Sequence, residues 1–185
     1  NTGLSGLLVV LFPTIMTIII RPKLHIDFLP NDGDITEVTE EIIENGETTE
    51  LLKRSYRLRV VNRGLLRLLN PRAYCLESTS GPDNLTQRIT PFELSWAESG
   101  DTGRIDAVCP GEFRYRVDLG SSVFARVSKS QGTIHPVKSE FFVESHSKKR
   151  FQITNDVNYD LCIVFSNDNF LHPSYCCHIR IFWSE

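Results

Sequence analysis

Two stretches of this chain alternate apolar and charged residues with a period of two, and that period dictates β-structure. Tyr56, Leu58 and Val60 alternate with Arg57 and Arg59, and Phe113, Tyr115, Val117 and Leu119 alternate with Arg114, Arg116 and Asp118. Successive strand residues point to opposite faces, so each stretch buries one face and wets the other. The same period runs through Lys23–Phe28 (Leu24, Ile26, Phe28) and through Tyr175–Trp183 (Tyr175, Cys177, Ile179, Ile181, Trp183). Further strand candidates are Ala73–Glu77, Phe92–Trp96, Val123–Val127, Glu140–Val143, Arg150–Thr154 and Leu161–Phe165. Eight to ten short strands separated by Gly, Pro, Asn and Asp predict a mainly β fold, an immunoglobulin-like antiparallel β-sandwich over residues 23–185. The Cys–Trp–Cys signature of antibody domains is not evident. Helix is expected only at the N-terminus and in one short segment of an acidic insert.

The N-terminal expectation rests on Leu4 to Ile20, 17 residues without a charge, followed by Arg21-Pro22-Lys23. About 20 apolar residues span the roughly 30 Å hydrocarbon core, so residues 1–22 are assigned to a transmembrane helix anchor. A secretory signal has a shorter apolar region of about 7–15 residues, a basic flank before it and small residues after it. Pro13 removes one backbone hydrogen bond in mid-helix, which membrane helices tolerate when a neighbour compensates. Arg21 and Lys23 lie C-terminal to the run with no basic residue before it, which favours a cytoplasmic main domain. An odd number of cysteines (Cys75, Cys109, Cys162, Cys176, Cys177) agrees with reduced thiols. The sequon Asn84-Leu85-Thr86 points the other way if the source is a eukaryote.

Charge is segregated further along. Residues 32–50 hold eight acids (Asp32, Asp34, Glu37, Glu40, Glu41, Glu44, Glu47, Glu50) and no base, whereas Lys53, Arg54, Arg57, Arg59, Arg63, Arg67 and Arg72 follow without an acid. Blocks this close are expected to face each other across a hairpin, where each exposed pair contributes little. The functional alternative is a basic strand against anionic headgroups or an acidic partner. A net charge of −3 and a pI near 6.0 give no global field for nucleic acid.

Taken in order, the apolar run, RPKLHIDF, YRLRVVNRG, RAYCLES, PFELSWAES and RIDAVCPGEFRYRVDLG resemble a set of uncharacterised prokaryotic membrane-anchored proteins. In these an N-terminal transmembrane helix precedes an RPKL-type immunoglobulin-like β-sandwich. The resemblance covers most of residues 21–120 and implies a fold, with no catalytic residues to carry over. One departure is Arg63-Gly64-Leu65-Leu66-Arg67-Leu68-Leu69-Asn70, which stands where similar chains have a polar loop. Exposed apolar patches mark contacts. Either this loop folds back to cap one end of the sandwich, or Leu65, Leu66, Leu68 and Leu69 dock on the bilayer or a protein neighbour with Arg63 and Arg67 at headgroup level.

Catalytic motifs are absent: the chain has no G-x-S-x-G, phosphate-binding loop, dinucleotide fingerprint or H-E-x-x-H. No enzyme activity and no cofactor are expected. Asp32-Gly33-Asp34 lacks the spaced ligands of a calcium loop. Cys176, Cys177 and His178 offer soft ligands for zinc or copper. On a strand, however, Cys177 points away from the other two, so a site needs Cys162, Cys109 or another histidine. Three functions follow, in order of preference. The first is a non-enzymatic accessory subunit of a larger membrane complex, its partners being other membrane subunits and the bilayer, with Pro13, Arg21, Lys23 and the leucine loop making contact. The second is a free-standing anchored binding module for a peptide, glycan or lipid. The third is a metal-binding protein.

Overall fold

The computed structural model describes residues 21–44, 47–80, 85–87, 91–128, 133–144, 150–153, 158–167 and 174–182. The apolar run and Pro13 lie outside the described residues, as do the Asn84 of the sequon, His172 and Trp183. No helix among the described residues is long and apolar enough to cross a membrane.

Among the described residues the structure is mainly strand, with short 3-10 helices at Pro30–Asp32 and Ala97–Thr102. The first seven are β1 (Leu24–Asp27), β2 (Ile35–Glu44), β3 (Glu47–Asn62), β4 (Leu68–Leu69), β5 (Arg72–Ser80), β6 (Leu85–Gln87) and β7 (Phe92–Leu94). The remainder are β8 (Ala107–Val108), β9 (Arg116–Ser128), β10 (Thr133–Glu144), β11 (Arg150–Ile153), β12 (Asn158–Ser166) and β13 (Tyr175–Phe182). One antiparallel sheet runs β1-β3-β9-β10-β11, with β2 also on β3, and a second runs β13-β12-β5-β6, with β7 also on β5. Strands β4 and β8 form a small third ladder. Register shifts at Leu52/Lys53 and Tyr56/Arg57 between β3 and β9, and at Cys162/Ile163 between β12 and β5, mark bulges. Bulges raise the local twist, and the sheets curl into a half-barrel.

Both sheets contribute to one core. The first supplies Leu58, Val60, Val117, Leu119, Phe141, Val143 and Ile153, and the second supplies Ala73, Cys75, Leu94, Leu161, Ile163 and Phe165. These are the inward positions of the period-two pattern. Trp96 is buried against Phe165, with ring centroids 6.1 Å apart, and its indole N–H donates to the Pro71 carbonyl at 3.0 Å. That bond satisfies the one polar atom the ring brings into the core.

Three expectations change. Among its described residues the acidic insert has no α-helix: a 3-10 turn at Pro30–Asp32 leads into β2, which pairs with β3 along its whole length. Its β-branched residues Ile35, Thr36, Val38, Thr39, Ile42 and Ile43 suit a strand, and the facing basic residues draw it there. The separate segments read around Val117 and Val123 are one strand, β9, which runs straight through Gly120-Ser121-Ser122. A Cβ at Gly120 would lie 2.1 Å from the Phe142 carbonyl oxygen, so this glycine admits a neighbouring backbone where a turn was expected. The last two leucines of the leucine loop form β4. Leu68 is 1% exposed and belongs to the core, and Leu69 is half-buried, so Leu68 is corrected from a contact residue to a structural one.

Candidate functional site

Asn62, the last residue of β3, organises one end of the molecule. It is fully buried, and its carboxamide uses every hydrogen-bonding position it has. Its Oδ1 accepts from the Lys23 N–H at 3.1 Å and the Gly64 N–H at 2.9 Å. Its Nδ2 donates to the Leu66 carbonyl at 2.7 Å and the Val108 carbonyl at 3.2 Å. The backbone adds two more links: the Arg63 N–H donates to the Lys23 carbonyl at 2.7 Å, and the Gly111 N–H to the Asn62 carbonyl at 2.9 Å. One side chain thus ties together the segment that follows the apolar run, the leucine loop and the loop after β8.

Gly64 makes the fit close. A Cβ there would stand 2.2 Å from the Arg21 carbonyl oxygen and 2.7 Å from the Lys23 nitrogen, both backbone atoms. Pro22 is buried, and its carbonyl accepts a hydrogen bond from the Tyr175 hydroxyl of β13. Arg21-Pro22-Lys23 is therefore clamped between the two sheets, with Arg21 and Lys23 exposed on either side of it.

Apolar and basic groups surround this clamp. Leu65 is 68% exposed and Leu66 38%, and Phe113, two residues past Gly111, is 63% exposed. Arg63 and Arg67 flank the leucines and are exposed. The other bases of the same stretch are engaged within the protein: Lys53 with Glu40, Arg54 with Glu37 (3.0 Å), Arg57 with Asp118 (2.8 Å) and Arg59 with Asp32 and Asp34 (3.2 Å each). The acidic and basic blocks do face each other across the β2–β3 hairpin, with Glu37 in register with Arg54. At the clamp, Arg63 and Arg67 make no ion pair with any described residue.

A second cluster sits where β2 begins. Asp34, with 0% exposure, accepts from the Leu29 N–H (2.7 Å), Arg59 Nη2 (3.2 Å) and Arg116 Nε (2.9 Å). Burial pulls the Arg59 guanidinium down, but its hydrogen bonds and charge pairing with Asp34 and Asp32 outweigh that and leave it raised. These bonds tie the start of the acidic strand to β3 and β9, while Arg59 Nε is buried without a hydrogen-bond partner among the described residues.

Of the soft ligands, Cys176 and His178 share the outward face of β13 while Cys177 packs inward, as the alternation requires. Burial raises the Cys177 thiol to about 11, and that of the core residue Cys75 to about 12. Cys177 is therefore removed from the candidate ligand set. Cys162, from β12, takes its place beside Cys176 and His178. Between the sheets a cleft of about 330 Å³ is lined by Phe28, Ile35, Tyr56, Leu58, Phe141 and Ile181. The roles of Asn62 and Asp34 leave no local trace in the sequence, because the groups they bind lie up to 46 and 82 residues away. No family model, curated protein or solved structure matches this chain.

Proposed function

We propose that this chain is a membrane-anchored accessory subunit whose clamp end rests on the bilayer where the chain enters it. The apolar run is the anchor in this reading, and the resemblance to prokaryotic anchored proteins agrees with it. The observation that carries the reading is the Asn62–Gly64 clamp. It fixes the three residues that leave the apolar run against a loop presenting Leu65, Leu66, Arg63 and Arg67. A domain tethered there has this patch at the membrane surface, leucines toward the acyl chains and arginines at headgroup depth. Each base near an anionic surface contributes about 1 kcal/mol, so Arg21, Lys23, Arg63 and Arg67 hold the domain in one orientation. They also favour the cytoplasmic side. Two sheets packed over a buried tryptophan support an immunoglobulin-like reading of the domain.

Such an orientation presents the rest of the sandwich to neighbouring subunits, and Pro13 favours an anchor packed against other helices. Extraction in a mild detergent should co-purify the full chain with other membrane proteins; a chain recovered alone and monodisperse contradicts the accessory role. The cleft favours a second reading, a module that binds an apolar ligand, since about 300 Å³ is the lower end of ligand-pocket volumes. A thermal-shift series with acyl chains and apolar peptides tests it, and no shift with any of them counts against it.

A further inference from the structure

We propose that Cys162, Cys176 and His178 form a three-ligand site for zinc on the outer face of the second sheet. The strand pairing brings them together. Cys162 on β12 is directly opposite His178 on β13, and Val164 opposite Cys176, so Cys176 lies diagonal to Cys162 on the same face. The bulge in β5 falls at Cys162/Ile163, where a local change of twist re-aims a side chain.

The ligand atoms already lie at near-coordination spacing. All three fall within 4.8 Å of one another. Cys162 Sγ and Cys176 Sγ are 3.1 Å apart, and Cys176 Sγ is 3.7 Å from His178 Nε2. A tetrahedral zinc with bonds of about 2.3 Å to sulfur and about 2.0 Å to nitrogen sets sulfur–sulfur and sulfur–nitrogen separations of about 3.8 and 3.5 Å. Reaching that geometry widens the sulfur pair from 3.1 Å to about 3.8 Å and brings Cys162 and His178, which lie within 4.8 Å, to about 3.5 Å. Asp160, one step along the same face of β12, is held by a two-point ion pair with Arg180 at 2.8 and 3.2 Å and lies within the electrostatic reach of His178.

Binding balances simply. Each thiol loses a proton to solvent, two thiolates and a neutral imidazole bond to Zn²⁺, and the site becomes electrically neutral. Three protein ligands leave the fourth position to water or to a group from a partner. A blue-copper site is disfavoured because the set lacks a methionine thioether, the single Met16 lying in the apolar run.

The test uses the reduced full chain in detergent micelles, titrated with Co²⁺ alone and then with Zn²⁺. The expected result is one equivalent of cobalt with a thiolate-to-metal charge-transfer band that zinc displaces. Cys162→Ser and Cys176→Ser should each abolish the band, His178→Ala should weaken binding by at least about tenfold, and Cys177→Ser should leave it unchanged. X-ray absorption of the wild-type zinc form should show two sulfur neighbours, which keeps the test decisive if a variant fails to fold. The proposal is overturned by a reduced wild-type chain that takes up no cobalt, or by a band that survives Cys176→Ser. It is equally overturned if zinc has only oxygen and nitrogen neighbours, or if Cys162 and Cys176 are isolated as a disulfide and bind nothing once reduced.

Discussion

Asn62 shows how much one buried amide can organise. Removing its carboxamide strands two N–H donors and two carbonyls contributed by three segments. Stranding a buried polar group costs about 1–3 kcal/mol, and some of these groups will recover water, so Asn62→Ala should lose about 3 kcal/mol. Urea denaturation with an unchanged m-value checks it. Asn62→Asp should be worse at neutral pH, because it sets a carboxylate against the Leu66 and Val108 carbonyls. Cys75 carries a pH signature. Its thiol ordinarily ionises near 9.0, and burial raises it to about 12 in the folded chain. The unfolded chain therefore releases its proton first, so the stability this thiol contributes is complete below pH 9.0 and is lost as pH rises toward about 12. Cys75→Ala should flatten the alkaline loss measured by denaturation across that range. Neither role is visible locally: Asn62 reads as a strand-end residue, and Cys75 as one cysteine among five.

At the scale of elements, the sequence is most legible where a strand carries its own pattern. The inward faces of β3, β9, β12 and β13 and the charge-matched β2–β3 hairpin follow directly from alternation. The pattern misleads where a residue answers to a distant backbone. Gly120-Ser121-Ser122 resembles a turn yet continues β9, and Leu68 resembles loop surface yet pairs with Val108. The β2 strand also depends on a contact no periodicity reveals, the Asp34 carboxylate held by Arg59 and Arg116. Breaking a buried ion pair by removing one partner costs about 3–5 kcal/mol. Asp34→Ala should therefore destabilise the chain by that order and raise hydrogen exchange in β2 before the rest of its sheet. A uniform rise across both sheets would show that the cluster holds the whole fold and not this edge. Gly64→Ala should act on the clamp, because its Cβ meets immovable backbone. The expected outcome is protease cleavage near residues 21–23 with the remainder of the domain protected.

For the molecule as a whole, the proposed function has the apolar run place the chain and the clamp orient it. The bases of β3 are engaged within the fold, and Arg21, Lys23, Arg63, Arg67, Leu65 and Leu66 are exposed around the clamp. In this account the end facing the bilayer is specified by the fold and not left to a flexible tether. The most direct test places a tryptophan at the tip, Leu65→Trp, in the full chain reconstituted into vesicles containing anionic lipid. Emission is compared with that of the unmodified chain, whose Trp96 and Trp183 set the background. The account predicts a blue-shifted added emission, quenched most by lipids brominated near the headgroup and less when Arg63 and Arg67 are replaced by glutamate. Water-like emission that no brominated lipid quenches, from a chain that remains inserted, would contradict it.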